Sequence, residues 1–275
     1  MGTPIFVAQY VLPQIEGTVV LDLGCGDGLY GCLMRTCWWQ TISGSQEPDF
    51  IQTLNPKQQD PDYIVGVEID DTVIQKPKEH KIYDELIMSS AHKLPFKDNT
   101  FDTILCIEVI EHTQKNISCK VLAELDRCAR TRIILTTPYR VRSGFLPPEE
   151  LTTLHALASS HKSQISLKEL RSRNYHILTP PGGKHPLRMI RRFLERKYLK
   201  YRYNEIVAVK KLYKDPAKFN YVEKDIKNIL QCPSCKFNLH FSVDGGEEKG
   251  YCKNCKAIFH KKMQVWDFRT ENYKF

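Results

Sequence analysis

A chain of 275 residues is long enough for one large domain, or for one of ordinary size with a small appendage. The formal charge of +8 is unevenly placed: residues 184–218 hold twelve Lys or Arg against three acids, which leaves the rest near neutral. No apolar run is long enough to span a bilayer, and residues 1–14 lack the basic-then-apolar start of a secretory signal, so the expectation is a cytoplasmic protein without membrane contact.

Residues 5–12 are apolar at helical spacing and predict a helix packed on the first strand. Val19-Val20-Leu21-Asp22-Leu23 is an apolar, β-branched run that reads as a buried parallel strand. It breaks into alternate glycines, Gly24, Gly26 and Gly28, with Cys25 and Asp27 between them, and a helix follows over 29–36. Such a turn lets a ligand approach the backbone, and the helix start offers unpaired N–H groups. Residues 37–62 carry Trp38, Trp39, Gly44, Pro48, Pro56 and Pro61 and predict a long excursion. The two tryptophans either cover the ligand or anchor the excursion to the body.

A second buried strand over 63–70 ends in acids. A carboxylate at that point of a nucleoside-binding α/β fold accepts hydrogen bonds from ribose hydroxyls, which makes Glu68 the candidate and Asp70 its competitor. A short third strand, 84–88, precedes Ser89, Ser90, Ala91 and His92, the last read as an exposed turn residue. The fourth strand, 103–107, runs into Glu108-Val109-Ile110-Glu111-His112, a loop on the ligand-bearing edge of a parallel sheet. His112 has the ordinary pKa, about 6.5, that suits a general base. The glutamates are also candidates to cap the next helix, predicted over 115–128. A fifth strand over 132–137, helices over 147–160 and 167–173, a sixth strand over 174–178, a basic helix over 187–199 and a seventh strand over 205–210 complete an alternating α/β pattern.

The Asp22-x-Gly24-x-Gly26-x-Gly28 pattern, the acid after strand two and the Leu94-Pro95-Phe96 turn together resemble class I S-adenosylmethionine-dependent methyltransferases (methyltransferase type 11-like) over about 5–212. The resemblance implies a Rossmann-like, doubly wound α/β sheet of seven strands with the last antiparallel. It also implies S-adenosylmethionine held by Asp22, Gly24, Cys25, Gly26, Gly28, Glu68, Ser90, Ala91 and Ile107, with Glu108, Glu111 and His112 as catalytic candidates. The family commonly has Asp where Ser90 stands. Glu108–His112, with His161 further on, is also similar to small-RNA 3′-terminal 2′-O-methyltransferases, and that second resemblance implies Mg²⁺ or Mn²⁺ on Glu108, Glu111, His112 and His161.

Near the C-terminus, Cys232-Pro-Ser-Cys235 and Cys252-Lys-Asn-Cys255 are separated by sixteen residues, spacing that matches a closed, structural Zn²⁺ site in a zinc ribbon. A thioredoxin-type redox pair would need a βαβ context that this stretch lacks. The chain thus divides into a methyltransferase domain, 1–215, with an insertion about 37–62, and a zinc ribbon, 228–270. The basic helix, from Arg188 to Arg202, interleaves cations with Phe193, Tyr198, Tyr201 and Tyr203, a pattern suited to nucleic acid as well as to a solvated face. The reading is a methyltransferase whose acceptor is RNA or other nucleic acid ahead of a small molecule or glycan. The alternative from another class is a non-catalytic adaptor that binds partners through the ribbon.

Overall fold

The computed structural model describes residues 5–36, 61–138, 162–178, 205–215 and 225–269. The excursion with Trp38 and Trp39, the predicted helix over 147–160, His161 and the basic helix from Arg188 to Arg202 lie outside the described residues.

The order along the chain is α1 (Ile5–Val11), β1 (Val19–Leu23), α2 (Leu29–Arg35), β2 (Tyr63–Glu68), α3 (Gln75–Glu79), β3 (Glu85–Met88), β4 (Phe101–Ile107), α4 (Lys115–Cys128) and β5 (Ala129–Pro138). Then come α5 (Leu167–Ser172), β6 (His176–Leu178), β7 (Glu205–Lys211), α6 (Ile226–Ile229) and the strands β8 (Leu239–Asp244), β9 (Glu247–Cys252), β10 (Ile258–Lys262) and β11 (Val265–Asp267). Pro13 stands in the 3₁₀ turn that closes α1, and β2 stops at Glu68, two residues before its predicted end.

One sheet contains all eleven strands, in the order β6-β7-β5-β4-β1-β2-β3-β11-β10-β9-β8. Its first seven members are the expected doubly wound half, with β7 antiparallel to both β5 and β6. Every residue of β1 is buried, as a central parallel strand covered on both faces requires. The 14-residue helix α4 turns Val121, Leu122, Leu125 and Cys128 inward at three- and four-residue spacing.

The ribbon extends the same sheet. β11 lies parallel to β3, with Val265 opposite Leu86, Trp266 opposite Ile87 and Asp267 opposite Met88. On the neighbouring turn, the Lys97 N–H donates to the Ile229 carbonyl and the Gln231 N–H to the Pro95 carbonyl, both at short distance (2.9 and 2.8 Å). Lys236 reaches the Glu124 carboxylate of α4 at 3.0 Å and the Leu94 carbonyl at 3.2 Å. Phe96, Phe101, Ile229, Leu239, Phe259, Trp266 and Phe268 fall in one hydrophobic cluster that spans both parts. An exposed β3 edge would be a template for unwanted strand pairing, and the ribbon removes it.

Trp266 is fully buried, edge-on to Phe241 and tilted against Phe268. Trp266→Ala should cost about 3–5 kcal/mol, the usual loss for emptying a large aromatic site. Because the core is shared, calorimetry should show ribbon and main sheet unfolding in one transition at a lower temperature.

Candidate functional site

The glycine turn after β1 is wrapped over the end of β2. The N–H groups of Gly24 and Cys25 both donate to the Val67 carbonyl, at 2.8 and 3.0 Å. Gly24 has φ +72°, and a Cβ there would sit 2.3 Å from Val109 Cγ2, so only glycine lets the turn lie against the loop after β4. At Gly26 the φ is +55° and a Cβ would meet no atom nearer than the Gly24 carbonyl oxygen at 4.0 Å. The backbone therefore presents an open face at Gly26, the cradle that a ligand lying along the turn needs. Gly28, in the left-handed conformation, starts α2.

Glu68 ends β2 with three backbone donors on one carboxylate. Gly26 N–H donates to Oε2 at 3.1 Å, and Ile69 and Asp70 N–H donate to Oε1 at 2.7 and 3.2 Å. Burial still raises its pKa above the usual carboxylate value. Asp70, the competitor, turns away: its Oδ1 accepts from Thr72 N and Oγ1 at 2.8 and 2.6 Å, which shapes the turn toward α3. The geometry separates the two acids, with Glu68 on the glycine turn and Asp70 on its own loop.

Asp22 is buried beneath the turn and accepts a 2.6 Å hydrogen bond from the Tyr83 hydroxyl. Desolvation pushes its pKa up to about 6, against the lowering effect of that bond. The Cys25 side chain is buried as well, and its Sγ lies 3.1 Å from where a Gly66 Cβ would stand. Ser90 is buried with its Oγ 2.7 Å from His92 Nδ1, Ala91 is half-buried and Ile107 is buried. His92 is thus tied to Ser90, and half-burial lowers its pKa.

Beyond β4 the chain is strained. Glu108 has φ +53°, a conformation that costs a non-glycine residue on the order of 1–3 kcal/mol. Thr136 of β5 holds it there: the Glu108 N–H donates to Thr136 Oγ1 at 3.1 Å, and that hydroxyl donates to Glu108 Oε1 at 2.8 Å. Glu111 is about 1 % exposed, and among the described residues neither of its carboxylate oxygens has a hydrogen-bond partner at normal distance, with the Glu108 carboxyl and the Thr137 hydroxyl as its polar neighbours. Burial, then the Glu108 charge, raises its pKa well above the usual carboxylate value. Glu108 is raised too, by burial. His112 Nε2 is 3.9 Å from Glu111 Oε1. The Glu111 carbonyl accepts from the Lys162 and Ser163 N–H groups at 2.7 and 3.0 Å, which brings the described start of the segment after His161 onto this loop.

The four cysteines converge as their spacing predicts. Cys232 and Cys255 sulfurs are 3.5 Å apart, Cys235 and Cys252 sulfurs 3.4 Å, and all four lie within 4.8 Å of one another. A metal–sulfur distance of about 2.3 Å puts tetrahedral sulfurs about 3.8 Å apart, so the set fits a four-coordinate ion. The two knuckles are built alike, with Lys236 N–H on the Cys232 carbonyl and Lys256 N–H on the Cys252 carbonyl, both lysines at positive φ. Glu108, Glu111 and His112 do not form a comparable set among the described residues.

The signals that sequence reading missed are Tyr83, Thr136 and Arg269. Each acts on a residue far away in the chain. Thr136 could have been flagged from the polar Thr136-Thr137-Pro138 end of an apolar strand.

Glu111→Gln tests the buried pair. A raised carboxyl pKa favours the fold fully below the unfolded-state value, and that favour is lost as pH rises through the folded value. The Gln variant has no proton to lose. Its melting temperature relative to the parent should therefore climb as pH rises above the ordinary glutamate value of about 4.5 and level off once Glu111 ionises in the fold; a difference that stays flat from that pH upward would mean that the carboxyl titrates as in the unfolded chain.

A family described as "Methyltransferase domain" matches residues 15–191. No curated protein matches the sequence. Solved structures with a similar fold include magnesium protoporphyrin IX methyltransferase from Synechocystis with bound S-adenosylhomocysteine, 15 % identical over 76 % of this chain and 81 % of that one, TM-score 0.43. A S-adenosylmethionine-dependent methyltransferase from Archaeoglobus fulgidus is 15 % identical over 75 % and 92 %, TM-score 0.44. The small-RNA methyltransferase HEN1 is 15 % identical over 77 % of this chain and 25 % of its own, TM-score 0.43. No described helix is long and apolar enough to cross a membrane.

Proposed function

The chain belongs to the methyltransferase-domain family and is an S-adenosylmethionine-dependent methyltransferase, and on that premise we propose that its acceptor is RNA or another nucleic acid. The donor reading rests on one observation: the Glu68 carboxylate holds the Gly26 N–H of a glycine turn whose open face has room for a ligand. Gly24, Gly26 and Gly28 pass beneath the donor, Glu68 takes its ribose, and Ser90, Ala91 and Ile107 flank the adenine. Asp22 braces the turn from below, and Cys25 adds its backbone. The acceptor reading rests on the concentration of positive charge between residues 184 and 218, where cations alternate with aromatic side chains.

S-Adenosylmethionine, when bound, supplies a methyl carbon on a sulfonium that departs as a neutral thioether. The acceptor atom forms its bond to that carbon as the carbon–sulfur bond breaks in line, and alignment alone lowers the barrier by several kcal/mol. In this reading Glu108, anchored by Thr136 beside the buried Glu111, takes the acceptor's proton. A positioned base of this kind contributes about 10²–10⁴-fold. Glu108→Gln should leave donor affinity intact while removing most of that factor.

A second reading is favoured by the two carboxyls of Glu108 and Glu111 buried side by side, although the described residues alone do not complete a ligand set there. In it Glu108, Glu111 and His112, with His161, hold Mg²⁺ or Mn²⁺ against an acceptor hydroxyl. Incubating the protein with methyl-labelled S-adenosylmethionine and a cell extract, with and without added Mg²⁺ or Mn²⁺, separates these readings. We expect label in RNase-sensitive material and a steep loss of acceptor binding between low and moderate salt. Label in small molecules, insensitive to salt, would overturn the nucleic-acid reading.

We assign Zn²⁺ to the four-cysteine site, as a structural ion with no open position. Metal analysis of the purified protein should return about one zinc per chain, and stripping it should lower the melting temperature of the whole chain; a folded, metal-free protein of unchanged stability would overturn the assignment.

A further inference from the structure

We propose that Arg269, contributed by the ribbon, is a positioning residue for the donor site, holding the loop that carries Glu68. The inference rests on the reading of Glu68 as the ribose acceptor. It concerns a residue 200 positions further along the chain, whose contact with that loop exists only because β11 completes the edge of the main sheet.

The fork of Arg269 is fixed at its base. Its backbone N–H and Nε both donate to Asp267 Oδ1 at 3.0 Å, and Nη2 donates to Asp267 Oδ2 at 2.9 Å. A bidentate guanidinium–carboxylate pair orients the remaining nitrogen with little entropy left to lose. Asp267 is itself held at the end of β11, opposite Met88, and the next N–H, Phe268, donates to the Met88 carbonyl at 2.8 Å. From this base Nη1 points at the loop after β2. It donates to the Ile69 carbonyl at 3.4 Å and lies 3.5 Å from Asp71 Oδ2.

Residue 69 is therefore gripped from both sides. Its N–H is taken by Glu68 Oε1 at 2.7 Å, and its carbonyl receives the Arg269 guanidinium. The same Glu68 carboxylate must release or share its backbone donors when it turns to ribose hydroxyls. Without Arg269 the loop would be free to follow the carboxylate, or to swing Asp71 toward it. A further acid, Asp71, stands three residues after Glu68, and Arg269 faces it. The individual contacts are long and half-exposed, so their effect on global stability is small. Their effect on placement is larger, because an acid displaced by an ångström no longer meets both hydroxyls.

The test is calorimetric binding of S-adenosylmethionine to the full chain with its zinc in place, for the parent, Arg269→Ala, Arg269→Lys and Glu68→Ala. Glu68→Ala should weaken binding at least tenfold. Arg269→Ala should weaken it about threefold to tenfold, with zinc content unchanged and melting temperature within about 2 °C of the parent, as expected for a half-exposed contact. Arg269→Lys, which keeps a cation beside Asp71 and a donor for the Ile69 carbonyl, should recover part of the loss. Unchanged affinity in Arg269→Ala beside a loss in Glu68→Ala would overturn this proposal and leave the ribose reading standing. Unchanged affinity in both would remove the ribose reading and the proposal with it. Loss of affinity accompanied by loss of zinc or a large fall in melting temperature, with no recovery in Arg269→Lys, would overturn it in favour of a structural role.

Discussion

The carboxylate of Glu68, with three backbone N–H groups converging on it, is the constraint around which the donor half of the molecule is assembled. It sits at the end of a strand whose partner, β1, is buried along its whole length, so neither strand can slide without moving every side chain to the wrong face. The glycine turn is then forced to lie over β2, because Gly24 and Cys25 spend their N–H groups on Val67 and Gly26 spends its own on Glu68. Tyr83 closes the arrangement from below by satisfying Asp22. The acid at the strand end is thus a structural part of the turn and, in the proposed reading, also the acceptor offered to the donor's ribose. On that reading the two uses compete, and the loop after β2 then has use for an outside hold.

That hold comes from the continuity of the sheet. A four-cysteine ribbon of some forty residues has too little core to fold by burial alone, and the proposed Zn²⁺ would supply part of the missing stability. Here the ribbon also borrows core from its neighbour, since Trp266 and Phe268 pack in the same cluster as Phe96 and Phe101. In exchange β3, four residues long and otherwise at the edge, gains a partner on its open side. The contacts are distributed over three places, β3, the Leu94–Lys97 turn and the loop after β2, so that the ribbon frames two of the loops that border the donor site. Assignment of separate domains at 1–215 and 228–270 remains a proposal about folding units, and the common sheet argues that their stabilities are linked.

Much of this was legible in the residues. The first five strands announced themselves as apolar runs, three of them ending in acids or glycines, and α4 begins and ends where its three- and four-residue apolar spacing predicted. The glycine turn, an acid closing β2, and the converging cysteines also followed from local pattern. What could not be read was pairing at long range. Val265-Trp266-Asp267 is too short and too polar to announce a strand, and its partner lies some 180 residues earlier. The helix α3 is five residues long with a proline inside, below the length at which periodicity carries information. Tyr83 and Arg269 are likewise ordinary residues until the fold brings them to Asp22 and Ile69.

The two halves of the site obey different physics. The donor half is made of backbone: positive-φ glycines, N–H groups and one carboxylate that orders them. The loop after β4 holds two buried carboxyls under strain, with Glu108 held at φ +53° by Thr136 and Glu111 beside it without a hydrogen-bond partner at normal distance among the described residues. Strain and an unsatisfied carboxyl are both unfavourable in the free protein, and a fold retains them only where neighbouring structure over-determines the conformation. Here β4, β5 and the segment after His161 do so, through Thr136 and the two N–H groups on the Glu111 carbonyl. An arrangement of this kind stays sensitive to whatever brings a proton, a hydroxyl or a cation to Glu111.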